Sequence, residues 1–468
     1  MEGQQPGASA SCWNASMDAT CWASRRIQGI TSAPVRPFLL ISPGFAPQAA
    51  VGVYRWVKIA RHLPRLGWRP IVLAATFPED PRDPALLDAL PPEVEIVEDY
   101  LSPRLLALRG HREPPASGTL PERQLGGHRP FRHLGDRCVP HALHASTAAV
   151  ELARRVGAEA VVVNAGPFSA IPVGLRVKEA LGLPLVLDFR DPWSLHESGD
   201  DPTLPLADRA RRAVVARLER RYLRRADHLV LNTRRTFDAY RARYPDLGDR
   251  FSFVRNCFDL DLYTPAPTAP PPPPDAPSAP ARPLTLVHLG ALRPDTAIDD
   301  LATALRRLID TERLAPGEIV LRQIGRMSTV ERDLFDSLGL SPFVEIVPPI
   351  PQGDVLTALR SAHLLVAKIT AQITLRMNSK LYDYLASGMP ILSIAANPEV
   401  DELLTHRPDH ARVQPGDIDG ITRVLADHLA RHRATRALPE PAPAPEEHSA
   451  AAAAKRMAAI LERVTPAR

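Results

Sequence analysis

A run of proline residues divides this chain of 468 residues into two parts. Residues 264–283 read TPAPTAPPPPPDAPSAPARP. Proline fixes its own φ and has no backbone N–H, so this segment excludes a helix or a central strand and favours an extended polyproline II spacer. Recognition of the spacer by a proline-binding partner is an alternative that stays open. Because 468 residues also exceed one ordinary hydrophobic core, we predict two domains.

On both sides of the spacer, short apolar segments alternate with amphipathic segments. This alternation predicts βαβ units and a parallel sheet in each part, which is an α/β fold class with two Rossmann-like, doubly wound sheets. The predicted strands before the spacer are 38–41, 71–74, 94–97, 160–163 and 185–187, with helices at 141–156 and 169–181. The predicted strands after it are 284–289, 319–323, 344–347, 364–367 and 391–394.

These elements set the predicted domain boundaries. Residues 1–35 show no period and are rich in Ser, Ala and Gly, so we predict a disordered extension. An N-terminal domain over residues 36–263 and a C-terminal domain over 284–435 follow. Residues 436–468 are predicted as a linker and a final helix from Ser449 to Val464. Clustered Gly, Pro, His and Arg at 111–140 indicate a surface insertion.

Composition argues against several classes of protein. No run reaches the eighteen or more apolar residues of a membrane span, and the first 35 residues lack a secretory signal, so we expect a cytoplasmic protein. The four cysteines form no C-x-x-C pair and are expected to be free thiols. Residues 1–263 carry 35 basic and 29 acidic side chains, an excess too small for a nucleic-acid-binding protein.

The most informative motif covers residues 376–394 and reads RMNSKLYDYLASGMPILSI. Asn378 and Ser379 are residue types that cap a helix, and the free N–H groups of a helix start suit a diphosphate. Lys380 and Asp383 are three residues apart and share one helix face. The spacing predicts that the Lys380 ammonium binds the phosphates of a nucleotide while the Asp383 carboxylate accepts hydrogen bonds from its ribose.

This motif resembles the donor site of family 4 glycosyltransferases. A second segment, DFRDPW at residues 188–193, is similar to one found in a bacterial subgroup of that family. The resemblance implies a GT-B fold and a retaining transfer of a sugar, of hexose type, from a nucleotide diphosphate-sugar to a hydroxyl. It also implies a role in bacterial glycan, polysaccharide or glycosylated metabolite biosynthesis, with the acceptor a glycan, a lipid-linked molecule or a small molecule.

The resemblance also implies how the departing diphosphate is stabilised. Arg293 follows the strand and turn VHLGAL, where the family places a basic residue near the phosphates, and Gly290 in that turn permits a close approach of the backbone. No pair of carboxylates stands where it would hold a metal against a diphosphate. We therefore predict Arg293 and Lys380 as the catalytic cations, with no metal and no cofactor.

The chain departs from the family pattern at several positions. Leu375 stands where the family has its first glutamate, and Asp383 stands where it has the second. Recognition of the sugar must then use other polar groups, of which Arg376 and Asn378 are candidates. Cys257 replaces a glycine that ends the first domain and would be strained if its φ were positive.

The predicted acceptor side of the cleft lies in the first domain. Gly52 and Arg55 follow the first strand, and Asp188, Arg190 and Asp191 follow the strand at 185–187. Arg55 is interpreted either as a phosphate or acceptor contact or as part of a salt bridge. Asp191 is the candidate to orient or deprotonate the acceptor hydroxyl, and an internal Asp–Arg pair that shapes the loop is the alternative.

Two other functions and one further partner stay open. An epimerase or hydrolase acting on nucleotide sugars would use the same fold, and a non-catalytic binding protein would explain the departures from the pattern. Peripheral contact with anionic lipid would use arginines of the helix at 206–225 or, preferably, the first helix with Trp56, Lys58 and Trp68. A solvated face is the alternative. In the longer helix, one apolar row is expected to face the core: Leu206, Ala210, Val214, Leu218 and Tyr222.

Overall fold

The computed structural model describes residues 35–49, 51–109, 136–195, 203–263, 282–292, 297–369, 374–405, 407 and 409–466. The predicted N-terminal extension falls almost wholly outside the described residues. Nearly all of the proline-rich spacer, most of the predicted insertion at 111–140, and Arg293 also lie outside them.

The first sheet contains seven parallel strands in the order β3-β2-β1-β4-β5-β6-β7. We call this sheet and its helices the N-lobe. Its strands are β1 Arg36–Ser42, β2 Trp68–Ala74, β3 Glu95–Val97, β4 Val161–Asn164, β5 Leu185–Phe189, β6 His228–Leu231 and β7 Phe251–Phe253. Its helices are α1 Val51–His62, α2 Ala85–Asp88, α3 Pro103–Arg109, α4 Ala142–Val156, α5 Ala170–Leu181, α6 Leu206–Arg225 and α7 Arg234–Arg243.

The second sheet contains six parallel strands in the order β10-β9-β8-β11-β12-β13. We call this sheet and its helices the C-lobe. Its strands are β8 Leu284–Leu289, β9 Ile319–Ile324, β10 Val344–Val347, β11 Leu364–Ile369, β12 Ile391–Ala395 and β13 His410–Val413. Its helices are α8 Asp299–Glu312, α9 Thr329–Ser337, α10 Gln352–Arg360, α11 Lys380–Ser387, α12 Pro398–Leu404 and α13 Ile418–Thr435.

Both sheets have a switch point in their strand order. In the N-lobe, the chain crosses from β3 at one edge back past β1 to β4, and in the C-lobe it crosses from β10 past β8 to β11. Strands at such a point leave a crevice beyond their carboxyl ends, which is where open α/β sheets bind ligands. The predicted α/β class with two doubly wound sheets is confirmed.

Strand burial explains why the sequence prediction was close. The central strands are mostly apolar and are covered on both sheet faces, as Val161, Val162 and Val163 illustrate with no exposed surface. Three short strands have no counterpart in the prediction, namely β6, β7 and β13. Each has four residues or fewer and carries polar side chains, so its apolar pattern is too weak to predict a strand.

A last helix, α14 Ala450–Val464, returns from the C-lobe to the N-lobe. Its Met457 and Ile460 share one hydrophobic core with Trp56 and Val57 of α1. Ser449 caps the helix, since its side chain accepts a hydrogen bond from the N–H of Ala452. The C-terminal helix therefore packs against the first helix of the N-lobe.

Two predicted surfaces on N-lobe helices need correction. Trp56 and Lys58 of α1 are buried, as is Trp68, which lies in β2, so these three side chains are not accessible to a membrane. In α6 the fully buried row is Val215, Glu219 and Leu223, one position beyond the predicted row, whose first members Leu206, Ala210 and Val214 are exposed. No described helix is long and apolar enough to cross a membrane.

Candidate active site

The Lys380 side chain lies directly over Gly290 at the carboxyl edge of the C-lobe sheet. A β-carbon built on Gly290 would be 1.3 Å from the Lys380 Nζ, so the amine occupies the space that any other residue type would fill. Gly290 follows β8 with a φ of 112°, a conformation that favours glycine. The group that approaches Gly290 closely is therefore the Lys380 side chain, and an approach of the Gly290 backbone to a phosphate stays a prediction.

The backbone beneath this lysine is held at a neighbouring strand end. Gly325 follows β9 with a φ of 123°, and a β-carbon there would lie 2.6 Å from the Gly290 carbonyl oxygen. Tyr384 of α11 accepts a hydrogen bond from the Leu289 N–H at 2.9 Å and donates to the Val366 carbonyl at 3.0 Å. These contacts join α11 to the end of β8 and to the middle of β11.

A small pocket opens at this place between β8, β11 and α11. The residues that line it include His288, Lys368, Asn378 and Lys380. Burial and the nearby Lys380 ammonium lower the pKa of His288 to about 4, so this imidazole is neutral at pH 7. Lys368 forms a buried ion pair with Asp300, which offsets its charge.

The start of α11 differs in detail from the prediction. The Asn378 side chain accepts a hydrogen bond from the Lys380 N–H at 3.1 Å, and so caps the helix as expected. Ser379 occupies the position before the helix with helical φ and ψ and makes no capping bond, which corrects its predicted role as a cap. Arg376 is exposed and reaches solvent.

Asp383 faces the N-lobe. Its Oδ1 accepts a hydrogen bond from the Tyr263 hydroxyl at 2.6 Å and lies 3.5 Å from the Lys58 Nζ of α1. The carboxylate does not line the pocket at Lys380. These are partners that the sequence analysis did not include, and a role for Asp383 toward a ribose stays a prediction.

A second cluster of predicted residues meets at the carboxyl edge of the N-lobe sheet. The Arg190 guanidinium covers the first turn of α1, where a β-carbon on Gly52 would lie 2.1 Å from the Arg190 Nη1. The Arg190 Nε donates to the Asp191 carboxylate at 3.1 Å. About a third of each of these two side chains is exposed. Gly52, Arg190 and Asp191 are therefore adjacent and accessible.

Arg55 and Asp188 form a buried pair, which corrects their prediction as acceptor or cleft residues. The Arg55 Nε and Nη2 each donate to one oxygen of Asp188 at 2.9 Å, and the Trp56 Nε1 donates to the same carboxylate at 2.8 Å. Neither side chain of the pair is more than 2% exposed. Contact with an acceptor needs an accessible group, so this pair joins α1 to β5 instead.

The DFRDPW loop depends on a residue that the sequence analysis missed. Glu219 of α6 is fully buried and accepts hydrogen bonds from the Ser194 N–H at 2.8 Å and the Tyr240 hydroxyl at 2.7 Å. The Tyr240 hydroxyl in turn accepts from the Trp193 N–H at 3.0 Å. The available signal was a single glutamate within an arginine-rich helix. Glu219 thereby anchors the loop that presents Arg190 and Asp191.

Cys257 shows no strain. Its φ is not positive, so the turn does not require the glycine found in the family. Its thiol is buried, and burial raises the pKa to about 11, which leaves it protonated at pH 7. The Asp259 side chain accepts a hydrogen bond from the Asp261 N–H within this turn. The Asn256 side chain accepts a hydrogen bond from Arg55.

The described residues contain no group of three or more His, Cys, Asp or Glu side chains that could hold a metal ion. Two D-x-D sequences occur in this part of the chain, at 259–261 and 417–419. The Asp259 carboxylate pairs with Arg61, and the Asp417 carboxylate accepts from the Gly420 N–H at the start of α13. Both carboxylates therefore have structural partners.

Comparisons with known proteins agree with this architecture. Residues 53–262 match the sequence model of the family Glycosyltransferase Family 4. No curated protein matches the chain. Among solved structures, HepE from Anabaena, in complex with UDP and glucose, has a TM-score of 0.58 at 15% identity, covering 92% of this chain and 100% of that one.

Two further solved structures share the fold. Sucrose-phosphate synthase from Thermosynechococcus elongatus has a TM-score of 0.55 at 15% identity, covering 92% of this chain and 95% of its own. A putative UDP-N-acetylglucosamine 2-epimerase from Listeria monocytogenes has a TM-score of 0.52 at 10% identity, covering 92% and 96%. The N-lobe thus matches the model of family 4 glycosyltransferases, and the shared two-sheet architecture shows that this chain has the GT-B fold.

Proposed function

We propose that this protein moves a sugar of hexose type from a nucleotide diphosphate-sugar to an acceptor hydroxyl, with retention of anomeric configuration. The observation that carries the proposal is the Lys380 amine, which lies over Gly290 at the carboxyl edge of the C-lobe sheet. Open α/β sheets bind their ligands at this edge. HepE was solved with UDP and with UDP-glucose, which supports a nucleotide diphosphate-sugar as the donor here.

Lys380 has a defined task in this reaction. The departing nucleoside diphosphate gains negative charge, which must be stabilised where water is excluded. The Lys380 ammonium and the positive end of the α11 helix dipole supply positive potential at one place. His288 is neutral beside them and adds no charge. We propose that this arrangement, together with Arg293, acts without a metal ion.

The N-lobe cluster provides the acceptor side of the proposal. The Asp191 side chain is about a third exposed at the carboxyl end of β5. It accepts a hydrogen bond from Arg190, whose guanidinium lies over Gly52. We assign to the Asp191 carboxylate the orientation of the acceptor hydroxyl. In a retaining transfer the acceptor attacks from the face that the phosphate leaves, so the departing phosphate can take the proton and no side-chain nucleophile is needed.

For the location of the protein, we propose the cytoplasm, with peripheral contact to anionic lipid through α6. Leu206 and Val214 are 79% and 48% exposed, and Arg217 and Arg221 are exposed on the same side of the helix. Sedimentation with phosphatidylglycerol vesicles tests this contact. We expect binding that Arg217→Glu with Arg221→Glu abolishes, whereas equal sedimentation of wild type and variant would contradict it.

The test of the main proposal is an incubation with UDP-, GDP-, ADP- and dTDP-sugars, each with and without a panel of glycan, lipid-linked and small-molecule hydroxyl acceptors. A transferase releases the nucleoside diphosphate and forms a new glycoside only when an acceptor is present. The competing function, suggested by the putative epimerase on this fold, predicts a changed or hydrolysed donor without any acceptor. Donor binding without turnover in every mixture would instead indicate a non-catalytic protein.

A further inference from the structure

The start of helix α7 in the N-lobe meets the C-lobe through a set of polar contacts. The first N–H groups of a helix have no partner within the helix. In α7, the Arg234 and Arg235 N–H groups donate to the two carboxylate oxygens of Glu399 at 3.0 and 3.2 Å. Glu399 belongs to α12 of the C-lobe and is buried. The Arg255 Nε of the N-lobe also donates to it at 3.0 Å.

The same helix start reaches the segment that leads into Lys380. The Thr236 hydroxyl donates to the Leu375 carbonyl oxygen at 2.7 Å, and the Thr233 hydroxyl lies 2.8 Å from the same oxygen. The next carbonyl along the chain, that of Arg376, accepts from the Asn397 side chain at 3.3 Å. Two successive carbonyls are thus held, one by each lobe. We call these contacts, with Glu399 and Arg255, the interlobe seam.

A second N-lobe contact reaches α11 itself, about one turn after Lys380. Lys58 of α1 and Tyr263 both reach the Asp383 carboxylate, as described above. The N-lobe therefore contacts the chain five residues before Lys380 and three residues after it. The lysine that faces the pocket stands between two points that the other lobe holds.

We propose that Thr236, assisted by Thr233, is a positioning residue that fixes segment 374–379 and through it the Lys380 amine. The inference rests on the proposed function and deepens it, because a side chain of the acceptor lobe then sets the affinity for the donor. The seam forms only where the start of α7 abuts this segment, so the shape of the donor site depends on the arrangement of the two lobes. Leu375 stands where the family has a glutamate, and its main-chain carbonyl oxygen takes part in the interlobe seam.

Thr236→Val tests this inference, because valine keeps the shape of threonine and removes the hydroxyl. Thr236 is a better choice than Thr233, whose side chain also caps α7. Thr236→Ser keeps the hydroxyl and should therefore behave like the wild type. Thr422→Val is the matched control, since the Thr422 hydroxyl bonds within α13 to the Ile418 carbonyl, away from the seam.

Two measurements are made on each full-length variant. With UDP as the probe, titration calorimetry is expected to show a Kd about five- to tenfold higher for Thr236→Val, the usual effect of one lost hydrogen bond. In the transfer assay, the donor KM should rise by a similar factor while the acceptor KM stays unchanged. Thr236→Ser and Thr422→Val should match the wild type in both measurements.

Hydrogen–deuterium exchange without nucleotide gives an independent readout. Residues 374–385 should exchange faster in Thr236→Val than in the wild type, and at the wild-type rate in Thr236→Ser. If Thr236→Val does not fold, the same comparison is made with Thr236→Ala. The inference would be overturned if the variants without the hydroxyl showed the exchange rate and the UDP affinity of the wild type. It would also be overturned if Thr236→Ser showed the same losses as Thr236→Val. Failure of the wild type to bind any nucleoside diphosphate would overturn the proposed function, while the exchange data would still decide the role of Thr236.

Discussion

The Lys380 Nζ lies 1.3 Å from the position that a β-carbon on Gly290 would occupy. The pair joins the first residue of α11 to the residue that follows β8, which are 90 positions apart in sequence. The lysine that we propose to bind the nucleotide is thus accommodated by a glycine at the edge of the sheet. The predictions below test this placement and the contacts that support it.

Gly290→Ala should displace the Lys380 amine. We expect the Kd for UDP to rise about tenfold or more, because a charge-assisted hydrogen bond is lost or misplaced. Calorimetry measures the effect. Gly317→Ala is the matched control, since Gly317 also has a positive φ, of 95°, but no atom lies within 4 Å of its built β-carbon. An equal loss of UDP affinity in the two variants would show that backbone strain alone, and not displacement of Lys380, is responsible for the loss.

Asp188→Asn should destabilise the protein strongly. The change leaves the Arg55 guanidinium buried without its charge partner, which costs about 3–5 kcal/mol in the free energy of unfolding. Asp191→Asn, three residues along, breaks a partly exposed pair and should cost less than about 1 kcal/mol. Urea unfolding followed by circular dichroism measures both. A loss for Asp188→Asn no larger than that for Asp191→Asn would contradict the assignment of the buried pair.

The same two variants separate structure from catalysis. Asp191→Asn should lower the rate of transfer about tenfold or more if its carboxylate orients the acceptor, with the fold intact. The transfer assay at saturating donor measures this. An Asp191→Asn enzyme with wild-type kcat and acceptor KM would remove Asp191 from the proposed mechanism.

Acid should weaken the fold before the carboxylates titrate. Burial and the nearby Lys380 charge lower the pKa of His288 from its ordinary value of 6.5 to about 4. Between these values the unfolded chain binds more protons than the folded one, so stability is full above pH 6.5 and falls as the pH drops toward 4. This histidine alone contributes a loss of about 2 kcal/mol between pH 7 and pH 5. Urea unfolding at both pH values should show a smaller loss in His288→Gln, and an equal loss would contradict the prediction.

Removal of metal should leave activity unchanged. We expect the same transfer rate before and after treatment with EDTA, because Lys380 and the start of α11 supply the positive potential. Addition of Mg²⁺ or Mn²⁺ to the treated protein is the control. Loss of activity in EDTA that either ion restores would show that a metal takes part.

Local sequence patterns predicted much of the fold and part of the site. Strands β8 and β10 begin and end where predicted. In β8 all six residues are buried, which gives this strand a strong pattern. Lys380 and Gly290, both predicted at the donor site, lie next to each other, since each lies at the edge of a parallel sheet where strand ends converge.

Contacts over long sequence distances could not be predicted in this way. Arg55 and Asp188 are 133 residues apart, and nothing in either local sequence names the other as a partner. The buried row of α6 was misplaced by one position because its central member, Glu219, is a charged residue with its own hydrogen-bond donors. The interlobe seam depends on how two sheets sit against each other, which periodicity does not encode.

The most direct test of the account is calorimetric titration of UDP into the wild-type protein and into Lys380→Ala. If the Lys380 ammonium binds the diphosphate, the wild type binds UDP and the variant binds it about ten- to a hundredfold more weakly, at an unchanged melting temperature without ligand. Equal affinity in the two proteins would contradict the central claim.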